Sequence, residues 1–381
     1  MYCKLIIVLL CCAALPTLAG ELEITFPSTV DGSTQQAIVY LPEAAKGAGA
    51  LPLLVVAHCY GADRHFGGNL GYHQEAEKRG WLVVTPELHG HKAPGAGSFA
   101  ALEAQHDVLD AIAYMKAHYH VDPARVYLVG RSMGGMLGML LAAKHPDLFA
   151  GVVAGQGISD LKAWVAESPQ FRAPVEQECG AYAPATAFDY ARRSALNYAP
   201  NLQYVPLIMW HGTNDTWVPP TQSEALYTAV ARLNRFQEPV HWLAGAPHCP
   251  LNYPPAWECD QLQYLVNGCE GGMNLPTRFY PHLTLVTDEA GPLFWLTPTP
   301  RTPGQFAQIT ADIHDTLLTV TAQHVAQLTI DTALLPPGTT IARCKVRTDA
   351  PLALRLVNGN KELFNTTVDQ TGEATIEVKT K

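Results

Sequence analysis

Charge is scarce in this 381-residue sequence. Only 15% of its residues are Asp, Glu, Lys or Arg, against roughly a quarter in typical globular proteins. No run of Lys or Arg accompanies the net charge of -9, so nucleic acid and anionic membrane surfaces are not expected as partners, because both require a basic face. With 48% apolar residues, the chain is instead expected to fold around a large buried core.

Metal and nucleotide motifs are also missing. The sequence has no H-E-x-x-H, no phosphate-binding loop and no G-x-G-x-x-G after a strand, so no cofactor and no metal is expected. His89 with His91, and His118 with His120, each offer two imidazoles. No third ligand follows at an established spacing, and hydrogen-bonded histidines are favoured over a metal site. No internal repeat of fixed period is present, which argues against a solenoid.

The first residues have the composition of a secretory signal. Lys4 precedes an apolar run from Leu5 to Leu15, and small residues around Ala19 provide a cleavage site. We expect residues 1–19 to be removed and the protein to be secreted or periplasmic. A membrane anchor is the alternative, but this run is shorter than the roughly 20 residues that cross a bilayer. No membrane span is therefore expected in the mature chain.

Removing Cys3, Cys11 and Cys12 leaves six of the nine cysteines, an even number that is typical of disulfide-bonded exported proteins. Spacing alone cannot choose among the pairings. One candidate pair is Cys259 with Cys269, which are close in sequence. The other is Cys59 with Cys249, which flank residues that carry chemistry, as argued below. The alternative is that several cysteines are buried apolar residues.

Short apolar runs alternate with helical stretches from Glu21 to about Gly268. The runs end in polar or Gly-rich turns, as strands buried on both faces of a parallel sheet do; they cover 53–57, 81–84, 126–129, 152–154 and 207–210. Apolar residues at helical spacing predict helices over 102–119 and 224–233. This alternation predicts an α/β fold with a mostly parallel sheet flanked by helices.

Two regions depart from this alternation. Residues of about 160–203 are rich in Ala, Pro and aromatic side chains without a clear strand, which predicts a helical insertion at the edge of the sheet. From Gly271 onward, β-forming segments separated by Pro, Gly and Asn turns predict a small C-terminal all-β domain of about 100 residues. These segments cover 284–286, 317–321, 326–330, 341–346, 352–357 and 374–378. The expected domains are therefore 20–270 and 271–381.

A G-x-S-x-G pattern centred on Ser132 lies between a predicted strand and a helix-like apolar run. Its glycines allow the strand and the helix to approach closely at a sharp turn, which holds the serine hydroxyl beside the positive end of the helix dipole. A serine nucleophile needs a base to accept its proton and an acid to orient that base. Asp215 and His248 follow later strands in the order Ser, acid, His that such a turn requires.

An oxyanion hole requires two backbone N–H groups. Met133, next to Ser132, is expected to supply one. The loop after the strand over 53–57 is expected to supply the other, with Tyr60 as the first choice and Cys59 as the alternative. Asp160 is an alternative acid, although a helix-capping role is favoured for it.

These residues resemble the α/β-hydrolase family: the pattern around Ser132, the segment His211-Gly212-Thr213-Asn214-Asp215 with Val218-Pro219, and His248. They are most similar to the branch that holds prolyl-oligopeptidase-like peptidases, feruloyl and acetyl-xylan esterases, and polyester depolymerases. The resemblance covers about 38–269. It implies that Ser132 is the nucleophile, His248 the base and Asp215 its orienting acid. The family's first oxyanion loop usually reads His-Gly, whereas Cys59 replaces that glycine here.

Three functions are compatible with this pattern. The first is a secreted carboxylic ester hydrolase acting on small-molecule or polymeric esters, aryl and cell-wall esters among them. The second is a serine peptidase acting on short peptides. Esters are preferred because the sequence shows no large N-terminal propeller of the kind that usually accompanies peptidases of this branch. The third is a binding protein on an inactive scaffold, against which the complete set of three side chains argues.

Two further expectations follow from single residues. Because His248 must be neutral to act as a base, activity is expected to fall on the acid side around pH 6 to 7. Trp164, Trp217 and Trp257 lie near the loops that carry these residues, and each either lines an apolar pocket or packs in the core.

Overall fold

The computed structural model describes residues 19–47, 49–233, 240–250, 253–267, 279–369 and 372–378. The predicted signal sequence, apart from Ala19, lies outside the described residues, as do Cys269 and the predicted domain boundary at 270/271. Within the described part of the chain, no helix combines the length and apolarity needed to span a membrane.

An eight-stranded sheet forms the centre of the first domain. Its strands are β1 (Gly20–Pro27), β2 (Thr34–Leu41), β3 (Leu51–Ala57), β4 (Leu82–Pro86), β5 (Val121–Arg131), β6 (Gly151–Gly155), β7 (Leu207–Gly212) and β8 (His241–Leu243). They are ordered β1-β2-β4-β3-β5-β6-β7-β8. The last six positions of this order run parallel, whereas β1 and β2 add an antiparallel edge. The predicted mostly parallel sheet is confirmed.

Helices cover both faces of this sheet. They are α1 (Phe66–Leu70), α2 (Tyr72–Arg79), α3 (Leu102–His118), α4 (Met133–Lys144), α5 (Leu161–Glu167), α6 (Arg172–Cys179), α7 (Ala187–Arg192), α8 (Thr221–Val230) and α9 (Pro255–Asn267). Strand β3 shows why its apolar run is continuous: Leu53 and Val55 belong to one buried cluster, and Leu54 and Val56 to the cluster on the opposite face. Side chains alternate between faces along a strand, so a strand covered on both sides needs apolar residues throughout.

The segment between β6 and β7, for which the sequence predicts a helical insertion over about 160–203, contains mostly helical turns. It contains α5, α6 and α7, followed by a 3-10 helix over Ala195–Tyr204. Asp160 caps α5, since its Oδ1 accepts a hydrogen bond from the Ala163 N–H at 3.0 Å. The capping role favoured from the sequence is confirmed, because the side chain is committed to the helix terminus.

The C-terminal region forms two sheets around one core. Its strands are β9 (His282–Thr287), β10 (Leu296–Pro300), β11 (Ala307–His314), β12 (Leu317–Gln323), β13 (Val325–Asp331), β14 (Arg343–Thr348), β15 (Leu352–Asn358), β16 (Lys361–Val368) and β17 (Gly372–Glu377). One sheet has the order β10-β13-β15-β16 and the other β17-β14-β12-β11-β9. Buried residues from both sheets, such as Leu285 and Leu354, belong to a single apolar cluster. The predicted small all-β region is confirmed, with β10, β11 and β16 in addition to the predicted strands.

Buried charges join the C-terminal region from β9 to β17, called the tail below, to the first domain. Asp288, directly after β9, is fully buried and lies 3.0 Å from the Lys144 Nζ at the end of α4. The Arg192 guanidinium on α7 is 2.8 Å from the other Asp288 oxygen. Tyr198 donates a hydrogen bond to Asp288 at 2.7 Å. A buried carboxylate requires such partners, so this joint is a specific interface between the two regions.

Candidate active site

Ser132 lies at the turn between β5 and α4 in a strained backbone conformation, with φ 57° and ψ -120°. Glycines on either side allow the turn. A Cβ on Gly130 would be 2.2 Å from the Gly134 carbonyl oxygen, and a Cβ on Gly134 would be 2.1 Å from the Ala57 carbonyl oxygen. The start of α4 therefore touches the end of β3, which brings Ser132 beside the loop that follows β3.

The structure brings the three predicted side chains together. The Ser132 hydroxyl is 2.8 Å from His248 Nε2, and His248 Nδ1 is 2.6 Å from Asp215 Oδ2. The other carboxylate oxygen accepts the N–H groups of Trp217 and Val218, each at 2.9 Å. An imidazole that donates its Nδ1 proton to the carboxylate keeps Nε2 free to accept the serine proton. The three side chains thus form one hydrogen-bonded line, the arrangement that the sequence predicts for a serine nucleophile, its base and its acid.

Electrostatics favour an ionised Asp215 and a basic His248. Burial raises the pKa of Asp215, but hydrogen bonds from His211 and His248 outweigh it and hold the pKa well below its usual range. Burial lowers the pKa of His248, whereas Asp215 and Cys249 raise it, with the result that the pKa is about 9. This value lies above the range of about 6 to 7 expected from the sequence, because the sequence does not reveal how closely the carboxylate approaches.

The two candidate oxyanion residues come from different loops. Met133 is the first residue of α4, where backbone N–H groups have no partner within the helix. Tyr60 lies in the loop after β3, with its ring parallel to Phe99 at 5.8 Å between centroids. Ser132, Met133, Tyr60 and the alternative donor Cys59 all line one cavity.

That cavity has a volume of about 430 Å³ and a wall of aromatic rings. Trp164 stacks on Phe171 at 4.8 Å, and Trp217 stacks on His248 at 5.4 Å. Two of the three tryptophans considered from the sequence, Trp164 and Trp217, therefore line the cavity. Trp257 instead stacks on His241 at 4.7 Å.

Cys59 and Cys249 meet at the rim of the same cavity. Both are free thiols in the structure. Cys59 Sγ donates to the Arg131 carbonyl oxygen at 3.3 Å, and the two thiols lie close enough to shift each other's pKa. Cys59 and His248 lower the pKa of the Cys249 thiol, although burial opposes this. Cys249, together with burial, raises the pKa of the Cys59 thiol. Cys259 is also a free thiol, and its predicted partner Cys269 lies outside the described residues.

The sequence analysis missed two groups at this site. Gln156, after β6, donates to Asp215 at 2.9 Å, and no motif marks it. Arg131, next to Ser132, forms a buried ion pair with Glu258 of α9 at 2.8 Å. Trp210 donates to the same carboxylate at 2.8 Å. Only the position of Arg131 inside the G-x-S-x-G pattern could have drawn attention to it.

Three of the four histidines considered as metal ligands, His89, His91 and His118, have other partners for their side chains. His89 Nδ1 is 2.9 Å from the Asp107 carboxylate, and His91 Nε2 is 2.8 Å from Glu87. His118 Nδ1 lies 2.9 Å from the Tyr114 carbonyl oxygen. These contacts agree with the hydrogen-bonded role that the sequence favoured.

Comparisons with known proteins identify the same branch. Residues 78–249 match the prolyl oligopeptidase family. An acetylxylan esterase of Coprinopsis cinerea is 35% identical over 193 residues, which cover 46% of this chain and 49% of that protein. Feruloyl esterase B of Talaromyces stipitatus is 26% identical over 202 residues, covering 47% of this chain and 52% of that protein. The matched residues thus span about half the length of these relatives.

Solved structures show the same fold. A puromycin-hydrolyzing peptidase of Mycobacterium tuberculosis superimposes with a TM-score of 0.51 at 23% identity, covering 63% of this chain and 38% of that one. The resemblance inferred from the sequence is confirmed. The chain has the α/β-hydrolase fold, and its residues 78–249 match the prolyl oligopeptidase family.

Proposed function

We propose that this protein is a secreted serine hydrolase that cleaves carboxylic esters. The observation that carries the proposal is the hydrogen-bonded line from Ser132 through His248 to Asp215, beside an apolar cavity. The strained turn at Ser132 supports it too, because such strain is typical of a nucleophile held out from a strand-to-helix turn.

The reaction follows from the positions of these atoms. Ser132 Oγ attacks the ester carbonyl carbon while His248 Nε2 takes the hydroxyl proton. The N–H groups of Met133 and Tyr60 stabilise the resulting oxyanion. Collapse of the tetrahedral intermediate expels the alcohol, which receives the proton from His248. Water then attacks the acyl-enzyme by the same route and releases the acid.

The cavity wall supports an uncharged acyl group with an aromatic or other bulky apolar body. Its lining residues include no Asp, Glu, Lys or Arg. Apart from His248, the ionisable side chains are the thiols of Cys59 and Cys249 and the phenol of Tyr60. Aromatic side chains offer stacking surface to a planar group, and apolar walls with few polar atoms are typical of such sites. The esterase relatives support an ester in preference to an amide. Both small-molecule and polymeric esters fit this proposal.

A serine peptidase acting on short peptides is the second candidate. The match to the prolyl oligopeptidase family favours it. Turnover of p-nitrophenyl acyl esters is to be compared with turnover of aminoacyl anilides. Dominant anilide turnover would establish the peptidase and overturn our preference.

The catalytic assignment is tested by a fluorophosphonate probe and mass spectrometry. We expect the probe to label Ser132, and we expect Ser132→Ala to abolish both labelling and ester hydrolysis. Ser159→Ala is the matched control, because the Ser159 hydroxyl is buried but donates to the Gln222 carbonyl instead. Ester hydrolysis that survives Ser132→Ala would refute Ser132 as the nucleophile and, with it, the proposed mechanism.

Export and disulfide formation belong to the same proposal. Outside the cytosol, the adjacent thiols of Cys59 and Cys249 would be oxidised to a disulfide by thiol–disulfide exchange, with reduction of a small disulfide to two thiols. Non-reducing peptide mapping of protein secreted by an expression host tests this. We expect one cross-linked peptide pair containing Cys59 and Cys249. Alkylation of both thiols without a reductant would refute the pairing.

A further inference from the structure

Residues 155–157, at the end of β6, contact all three loops of the proposed active site. The Gly155 carbonyl oxygen accepts the Ser132 N–H at 2.9 Å. A Cβ on Gly157 would be 2.5 Å from the Gly135 carbonyl carbon at the start of α4. Gln156, between the two glycines, is fully buried and has a positive φ of 49°. Such backbone strain in a non-glycine residue persists only where the surroundings hold it in place.

The Gln156 side chain makes three hydrogen bonds within the site. Its Nε2 donates to Asp215 Oδ2 and to the Pro247 carbonyl oxygen, each at 2.9 Å. Its Oε1 accepts the Cys249 N–H at 2.6 Å. Two acceptors and one donor surround it, so the partners themselves determine which way the amide faces.

These bonds hold His248 from both sides. Pro247 and Cys249 are its immediate neighbours in the chain, and Asp215 is its side-chain partner. One neutral amide therefore links the acid to the two residues that flank the base. Cys249 itself has a positive φ of 46°, so this turn also depends on external contacts to keep its conformation.

We propose that Gln156 is a positioning residue. Its hydrogen bonds fix the Asp215 carboxylate relative to the two residues that flank His248, so that the imidazole stays within hydrogen-bond distance of the Ser132 hydroxyl. This inference rests on the proposed hydrolase function. A primary amide suits the position because it donates to the carboxylate and accepts from Cys249 without adding charge.

Other titratable groups face the same pair. His211 Nε2 is 3.4 Å from Asp215 Oδ2, and the Cys249 thiol adjoins His248. Cys59 and the Arg131 guanidinium in turn act electrostatically on Cys249. A carboxylate placed at Gln156 would join this group, repel the Asp215 charge and favour the protonated imidazole. A shift of the pH profile therefore reports on this position, because a loss of folded protein alone would lower the activity without moving the profile.

Two substitutions test the inference with p-nitrophenyl butyrate as substrate. Gln156→Met keeps the length of the side chain and removes all three hydrogen bonds. We expect kcat to fall about 100-fold with little change in KM, as for a small misplacement of a catalytic group. For Gln156→Glu we expect the acid limb of kcat/KM to move up by about one pH unit, because the added carboxylate stabilises the imidazolium.

Gln222→Met is the matched control. Gln222 is equally buried, and its Oε1 accepts the N–H groups of Ser159 and Asp160, away from the catalytic side chains. We expect this control to lower the unfolding midpoint while kcat and the pH profile stay unchanged.

The outcomes separate the possibilities. Equal losses of kcat in Gln156→Met and Gln222→Met, or an unmoved acid limb in Gln156→Glu, would overturn the positioning role. If Gln156→Met does not fold, the pH profile of Gln156→Glu decides. Fluorophosphonate labelling of Ser132 in the parent protein is independent of these results. Its failure would count against the hydrolase function rather than against Gln156 alone.

Discussion

At the scale of single residues, the contact between Asp215 and His248 controls the pH dependence of the proposed reaction. Only neutral His248 can accept the serine proton, so kcat/KM should rise with pH through the pKa of this group. Burial lowers that pKa, but Asp215 and the Cys249 thiol together raise it to about 9. A disulfide between Cys59 and Cys249 would remove the contribution of the thiol and leave that of Asp215. We therefore expect the acid limb of a kcat/KM profile to lie above the ordinary imidazole value of about 6.5.

Asp215→Asn tests the cause of this shift. Removing the negative charge should return the acid limb toward lower pH, and loss of the orienting acceptor should lower kcat by about 10⁴-fold. The profile is measured with a p-nitrophenyl ester across the stable pH range. An acid limb that does not move in Asp215→Asn would show that the carboxylate does not set the pKa of His248.

Trp217 tests the proposed preference for an aromatic acyl group. Its ring is 57% exposed, so Trp217→Ala should fold normally. We expect KM for p-nitrophenyl benzoate to rise about ten-fold, equivalent to about 1.4 kcal/mol of lost ring contact. KM for p-nitrophenyl acetate should change far less.

Trp242→Ala is the control for this prediction, because Trp242 is another partly exposed tryptophan, on β8, and does not line the cavity. Equal changes in KM for the benzoate and acetate esters of Trp217→Ala would exclude a role for the ring in acyl preference.

At the scale of elements, helix α4 requires a glycine where it meets β3 and tolerates alanine where it packs on β6. In Gly134→Ala the new Cβ would overlap the Ala57 carbonyl oxygen, and we expect destabilisation of about 3 kcal/mol and loss of activity. In Gly138→Ala the Cβ would lie 3.6 Å from Val152 Cγ1, an ordinary contact. Helix propensity should then stabilise the protein by about 1 kcal/mol.

Chemical denaturation of both α4 variants measures these changes. The comparison is controlled internally, since both substitutions make the same chemical change on one helix. A Gly134→Ala protein as stable and active as Gly138→Ala would show that α4 and β3 are further apart than described.

The sequence predicts some of these elements and not others. The buried strands and the turn at Ser132 were predictable because continuous apolar runs and a G-x-S-x-G pattern are local signals. Strand β10 was missed because Pro298 and Pro300 argue against a strand. The structure accommodates these prolines because β10 is an edge strand, where a missing backbone N–H leaves no neighbouring strand unpaired. Gln156 was missed because its role depends on loops about 60 and 90 residues away, and no local pattern encodes such contacts.

At the scale of the whole molecule, the joint around Asp288 is expected to make the two regions unfold together. Asp288→Asn removes the buried charge that Lys144 and Arg192 share. Breaking a buried ion pair typically costs about 3–5 kcal/mol, so we expect a lower midpoint in guanidinium chloride. Asp312→Asn is the control, because its pair with His282 is exposed and should contribute less than about 1 kcal/mol. Equal midpoints in the two variants would contradict the prediction.

The same joint bears on any attempt to shorten the chain. Lys144 ends helix α4, which begins at Met133, so the tail forms an ion pair with the end of α4 opposite to Ser132, the proposed nucleophile. A protein truncated before β9 would leave this ammonium group without the Asp288 carboxylate. If such a fragment hydrolysed a polymer more slowly, the loss could come from the disrupted ion pair under α4. It would not show that the tail binds the polymer. Substitutions on the outer faces of the tail strands are the cleaner way to ask whether the tail holds a substrate.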